Sequence, residues 1–187
     1  REKLGFPIVQ LPLAMTEGGI GTKLFRNKAM WIGFALGAIL DIYNEQVLNS
    51  TAIFDDEPRT MAVQLEWVKQ FAPPYVLLVA EGAGEIAAWG SLRSYGGKPG
   101  YRFSTEDSVY IHVGHRGKGL GRLMLEALLE AGQRNGFHAV IARITADNPA
   151  SVRLHESFGF ERIGYEREVG YKFERWLDVV VMERMLK

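Results

Sequence analysis

Ser108-Val109-Tyr110-Ile111-His112-Val113, then Arg116-Gly117-Lys118-Gly119-Leu120-Gly121, then the stretch to Gln133: read in order, these residues decide the fold. Val109, Ile111 and Val113 alternate with Ser108, Tyr110 and His112, the two-residue period of a strand. Beyond the glycines, Leu120, Leu123, Met124, Ala127, Leu128 and Ala131 recur on one helical face. Arg122, Glu126, Glu130 and Gln133 lie opposite, and Asn135-Gly136 stops the helix. A strand, a glycine loop and a helix together form an anion cradle. Glycines admit a ligand to the backbone, and the free N–H groups and helix dipole favour negative charge. A Walker loop needs G-K-[ST], but Gly119 follows Lys118. A dinucleotide loop needs G-x-G-x-x-G, but Arg122 stands at the third glycine. What remains is a different phosphate loop, or merely a tight strand-to-helix connection.

Downstream, Ala139 to Ile144 reads as a strand. Asn148-Pro149 opens a helix, with Asn as cap and Pro in the first turn, and the helix ends at Gly159. Phe160 to Val169 and Trp176 to Met185 read as two last strands. Upstream, Gly96 to Gly100 is a loop, and Tyr75–Ala80 and Glu85–Leu92 form a hairpin about Gly82-Ala83-Gly84. A helix after Pro58 is expected to bury Met61, Leu65 and Val68. An earlier helix buries Ala38, Ile39, Ile42, Tyr43 and Val47 and ends near Asn49-Ser50. This order predicts an α/β (α+β) fold with a mixed central sheet flanked by helices. Residues 38–187 form that domain. Residues 1–37, with Gly18, Gly19 and Gly21, are a poorly specified N-terminal segment with room for one strand.

The 187 residues suit one domain, and 47% hydrophobic residues suffice for a core. Twenty-two basic and 22 acidic side chains give zero net charge, which argues against a nucleic-acid partner. With no cysteine, disulfides, thiolate nucleophiles and cysteine-ligated zinc are excluded, and a reducing cytosol is compatible. The apolar run Ala29–Leu40 is 12 residues long. A bilayer span takes about 20, so no membrane partner is expected, and the run reads as a buried strand or a helix start. It also lies behind Lys23, Arg26 and Lys28, too far in for a signal peptide. His112 and His115, i and i+3 where a strand enters a loop, are poor joint ligands, so no metal is expected.

The loop resembles the pyrophosphate loop Q/R-x-x-G-x-G/A of the GNAT superfamily of acetyltransferases, with Arg116, Gly119 and Gly121 in its places. Asn148, Ser151, Leu154, His155 and Phe158-Gly159-Phe160 resemble that family's second cofactor segment. Four stretches resemble the phosphinothricin and methionine sulfone acetyltransferase branch in particular: Ile42–Glu45, Thr51–Phe54, Glu106–His112 and Tyr171–Asp178. The resemblance covers about residues 38 to 187. It implies direct transfer of acetyl from acetyl-CoA to the α-amine of a small amino-acid analogue, in a ternary complex, by a cytoplasmic homodimer. It assigns the cofactor to Ile111, His112, Val113, Arg116, Gly117, Lys118, Gly119, Leu120, Gly121, Arg122, Asn148 and Ser151. Asn148 touches the pantetheine arm in such enzymes, and it serves equally as a helix cap.

Acetyl transfer needs a neutral amine, a polarised carbonyl and a proton for the departing thiolate. Glu106 lies just before the strand, where resembling enzymes place a glutamate near the acceptor amine. It is the candidate base, directly or through water, with Asp107 as the competing carboxylate. Backbone N–H groups near Ile111 to Val113 would polarise the carbonyl. His155 occupies the place where many GNAT enzymes carry a tyrosine that protonates the thiolate. Its near-neutral titration suits that task, although a structural histidine is the other reading. Tyr110 would substitute as donor or line the pocket. Arg93 and Arg102 flank the glycine-rich loop, and resembling enzymes use arginines there to hold the acceptor's carboxylate. Phe54, Tyr101 and Trp176 either shape that pocket or belong to the core. The rivals are the same chemistry on another amine (peptide N-terminus, polyamine or drug) and a non-catalytic acyl-CoA-binding module. The joint presence of Glu106 and His155 favours an enzyme.

Overall fold

The computed structural model describes residues 8–10, 24–82 and 84–186. Strand β1 (Ile8–Gln10) precedes helices α1 (Leu24–Asn49) and α2 (Met61–Val68). A hairpin of β2 (Val76–Gly82) and β3 (Glu85–Ser94) leads to β4 (Ser104–Ile111), and the glycine loop leads to α3 (Leu120–Arg134). Then follow β5 (Ala139–Thr145), α4 (Pro149–Glu156), β6 (Glu161–Lys172) and β7 (Arg175–Met185). The strands make one mixed sheet in the order β1-β2-β3-β4-β5-β7-β6. The pair β4–β5 is parallel and every other neighbouring pair is antiparallel.

Each face of the sheet has its own core. On one, Leu120, Met124, Leu125 and Leu128 of α3 pack with Val140 and Met182. On the other, Ile39, Ile42, Tyr43 and Val47 of α1 pack over Trp89 and Val79. Helix α3 approaches β3 closely because of Gly90. A Cβ there would lie 2.8 Å from Met124 Cγ and 2.9 Å from Leu128 Cδ1.

The expected element order holds, with four differences in detail. Helix α1 starts at Leu24, so Ala29–Leu40 lies inside a helix that also crosses the expected boundary at residue 37. The helical period from Ala38 to Val47 continues backward through the run. Helix α2 turns Gln64 and Val68 inward, while Met61 and Leu65 are exposed. Gln64 is placed by its spacing to Val68 and Phe71, one helical face of which only two members are apolar. On α3, Leu123 is exposed and Leu125 is fully buried. Strand β4 starts at Ser104 rather than Ser108. Polar Thr105 and Asp107 occupy buried positions along it, which hid the alternation. Gly18, Gly19 and Gly21, and Ala83 of the hairpin turn, lie outside the described residues. Among the described residues, no helix is long and apolar enough to cross a membrane.

Candidate active site

Strands β4 and β5 pair only at Ser104↔Ala139, Thr105↔Val140 and Glu106↔Ile141, although both continue. Beyond Glu106, β4 keeps only its β3 neighbour, up to Ala88↔Ile111. The sheet therefore splits along the far half of β4. His112 donates its N–H to Ala87 O at 2.9 Å. By the alternation of an antiparallel ladder, the N–H groups of Ile111 and Val109 then face the split. His112 has thus spent its N–H on β3 and has none for a thioester carbonyl, whereas Ile111 keeps its own.

Two adjoining cavities, about 270 and 150 Å3, open at this split. Arg93, Glu106, Ser108, Tyr110 and Arg143 line both. Glu106 lies within β4, not ahead of it, on the same face as Ser108 and Tyr110. Arg93, its cross-strand neighbour, donates to its carboxylate at 2.5 Å. Tyr110 packs on Trp89, ring centres 4.5 Å apart. Burial, first of all, pushes its phenol up to about 12, so it stays protonated at neutral pH.

The larger cavity is further walled by Tyr43, Arg59, Trp67 and Phe54. Phe54 reaches it across Gly170, where a Cβ would lie 2.4 Å from the ring. Tyr101 and Arg102 line neither cavity. The glycine-rich loop closes on itself instead. Tyr101 packs on Tyr95, and Arg102 donates to Pro99 O and lies over the Phe103 ring.

The smaller cavity takes Asn148 and Ser151 from the start of α4 and His155 from its last turn. Asn148 accepts from the Ser151 N–H at 3.1 Å, so it is a helix cap at the rim of the cavity. His155 is buried between two acceptors: Ser151 O lies 2.8 Å from Nδ1, and Asp107 Oδ2 lies 3.0 Å from Nε2. Burial pulls the imidazolium down, but the Asp107 hydrogen bond and charge and the Ser151 carbonyl together raise it above its ordinary value. A doubly protonated ring satisfies both acceptors.

In the glycine loop, Gly117 (φ 74°) and Gly119 (φ 82°) take the left-handed conformation that favours glycine. Gly119 is the N-cap of α3 and has no side chain to satisfy the first turn. The Arg122 N–H turns back to Gly119 O at 3.1 Å, and the amides ahead of it are left for an outside acceptor, for which an anion is best suited. Leu120 is buried beneath the loop. Arg116 reaches back to Glu45 of α1 at 3.1 Å, Lys118 donates to Gly114 O, and Arg122 lies over Phe158. Val113 is exposed in the turn that enters the loop.

Reading the sequence alone passed over several cavity residues. Arg59 sits in a polar loop with no pattern around it, Tyr43 falls on the apolar face of a helix, and Trp89 is one residue inside the hairpin strand. Arg143 is the one charged and the one exposed position in the otherwise buried β5, a signal that the sequence carries.

The chain matches the acetyltransferase (GNAT) family over residues 39–160, and residues 1–53 match a family of unknown function. It is 39% identical over 150 residues to the L-methionine sulfoximine/L-methionine sulfone acetyltransferase of Salmonella typhimurium, covering 80% of this chain and 88% of the relative. It is 38% identical over 155 residues to the phosphinothricin N-acetyltransferase of Streptomyces coelicolor, covering 81% and 91%. A solved acetyltransferase structure from Salmonella typhimurium, with its cofactor acetyl-CoA, superimposes with a TM-score of 0.79 at 38% identity, over 81% of this chain and 88% of that one. With the split sheet, the uncapped glycine loop and these relatives in agreement, the chain belongs to the GNAT family of acetyltransferases.

Proposed function

We propose that this chain transfers acetyl from acetyl-CoA to the α-amine of a small amino-acid analogue, such as methionine sulfone, methionine sulfoximine or phosphinothricin, by direct attack in a ternary complex. The observation that carries the reading is the meeting of two cavities at Glu106 and Tyr110. One cavity adjoins the split and the start of α4, as a thioester requires. The other, at about 270 Å3, lies below the usual range for drug-sized ligands, which suits a small acceptor. The names of the relatives support the acceptor class.

In this reading the α3 first-turn amides and loop residues 116–122 hold the pyrophosphate, and Asn148 and Ser151 flank the pantetheine arm. Arg93 holds the acceptor's carboxylate as well as Glu106. Glu106 takes one proton from the ammonium. The nitrogen attacks the carbonyl carbon while the Ile111 N–H donates to the carbonyl oxygen. The C–N bond forms, the C–S bond breaks, and the second proton that the nitrogen sheds passes to the departing sulfur, which leaves as the CoA thiol. His155, whose two ring nitrogens are taken by Ser151 O and Asp107, serves in this reading as a charged structural group beside the smaller cavity, held in place by Asp107. Tyr110 donates a hydrogen bond and, with its raised phenol, keeps its proton. The domain, which takes in the whole of α1 from Leu24, works as a cytoplasmic homodimer.

A thiol-release assay over an amine panel tests this. Turnover of methionine sulfone or phosphinothricin well above that of a peptide N-terminus, a polyamine or an aminated drug is expected. A reversed order would move the chain to another acceptor, and no thiol release with any amine would leave an acyl-CoA-binding module.

A further inference from the structure

Arg59 enters the larger cavity already fixed in place. Asn44 of α1 clamps its backbone from both sides: the Arg59 N–H donates to Asn44 Oδ1 at 2.8 Å, and Asn44 Nδ2 donates to the Arg59 carbonyl at 3.0 Å. Its guanidinium lies 3.6 Å from the centre of the Tyr43 ring. Nη2 donates to the Tyr43 hydroxyl at 2.5 Å and to Asp55 at 3.4 Å. Nη1 is buried and has no hydrogen-bond partner among the described residues.

A buried guanidinium N–H without an acceptor is costly, and such groups are ordinarily satisfied. A planar, stacked, pre-oriented fork with a spare donor is a receptor for an oxyanion. Each arginine of this cavity has a carboxylate partner: Arg93 has Glu106, Arg143 has Glu166 and Arg59 has Asp55 at 3.4 Å. Of the three, only Arg59 keeps a buried guanidinium nitrogen without an acceptor among the described residues. Arg59 comes from the loop ahead of α2, a different wall from the β4 strand that carries Glu106.

We infer that Arg59 is a specificity-determining residue for the acceptor's tail, and that the chain prefers an amino-acid analogue ending in an anionic oxyacid group over its neutral isostere. The inference rests on the function proposed above, which commits Arg93 and Glu106 to the amino-acid end and leaves Arg59 for the tail. Phosphinothricin and methionine sulfone form a matched pair. Each ends in a tetrahedral centre with one methyl and two oxygens, anionic in the first and neutral in the second.

The experiment measures Kd by calorimetry in the presence of CoA, and kcat/KM, for both acceptors on wild type, Arg59→Gln and Arg59→Lys. Wild type should favour the phosphinate. Arg59→Gln should weaken it by about 10-fold to 100-fold, the range of a hydrogen bond to a charged group. Methionine sulfone should lose only several-fold, and Arg59→Lys should fall between. Retained acetyl-CoA affinity shows that the variants are folded. An unchanged phosphinate-to-sulfone ratio overturns the inference, as does an equal loss on both acceptors, which would assign Arg59 to the end they share. Acetylation of both acceptors with a ratio insensitive to Arg59 sinks this inference alone. An Arg59-dependent binding preference without acetylation of either sinks the proposed function and keeps the inference. Failure to bind either acceptor at millimolar concentration sinks both.

Discussion

Replacing Asp107 by asparagine keeps the size of the buried partner of His155 and removes its charge. Three effects act on the imidazolium: burial, the largest single one, disfavours charge, while Asp107 and the Ser151 carbonyl favour it. In the wild type the favourable effects win, so the folded-state pKa lies above the ordinary value of about 6.5. The stability this supplies is fully present below about pH 6.5 and is lost as pH rises through the folded value. In Asp107→Asn the carboxylate is gone and burial dominates. The linkage then reverses, and the variant loses stability as pH falls through the same region. Breaking a buried ion pair from one side costs about 3–5 kcal/mol. Because His155 escapes part of that by releasing its proton, the lower end applies at acid pH. About 3 kcal/mol corresponds to a fall in Tm of roughly 6–12 °C for a chain of this size. At pH 8 the deficit should shrink toward the worth of a neutral hydrogen bond, about 1 kcal/mol. Thermal denaturation of both proteins from pH 6 to pH 8 reads this directly. A deficit that stays constant, or grows with pH, would refute the assignment of a charged His155 held by Asp107.

Three further predictions concern the proposed chemistry. Glu106→Gln should lower kcat/KM by about 100-fold or more at neutral pH with little change in acetyl-CoA affinity, and recover partly at high pH as the amine deprotonates unaided; an unchanged pH–rate profile would make Glu106 a bystander. Gly121→Glu should abolish acetyl-CoA binding in a folded protein. Its Cβ lies only 3.2 Å from Leu154 Cδ2, and its charge falls beside the proposed pyrophosphate site; wild-type affinity by calorimetry would take the loop out of the site. Arg93→Ala should raise KM for the free amino acid far more than for its amide, while Arg102→Ala, outside both cavities, should leave that preference alone. Equal rates on acid and amide in the wild type would end the carboxylate clamp.

Legibility in the sequence followed how local the cause was. The glycine loop and α3 could be read because each residue there answers to its neighbours: Gly117 and Gly119 to their own backbone angles, and Leu120, Met124 and Leu128 to one helical period. Glu106 and His155 were reachable through the motifs around them. The rest of the site depends on pairings distant in sequence, for which a single chain carries no sign. Asp107 and His155 are 48 residues apart, and nothing local tells that the carboxylate turns inward rather than to solvent. Tyr101 and Arg102 failed to reach the cavity for the opposite reason. Their charge and aromaticity suited a clamp, but a loop can satisfy such groups within itself, as Tyr95, Pro99 and Phe103 do here. Arg59 shows the same limit most plainly. In sequence it is one charge in a polar loop, and only the fold of α1 against that loop lays it on Tyr43, binds its backbone to Asn44 and leaves Nη1 unclaimed. What the sequence shows is therefore what is written locally, whereas the tail contact inferred for Arg59 rests on pairings that exist only once the chain has folded.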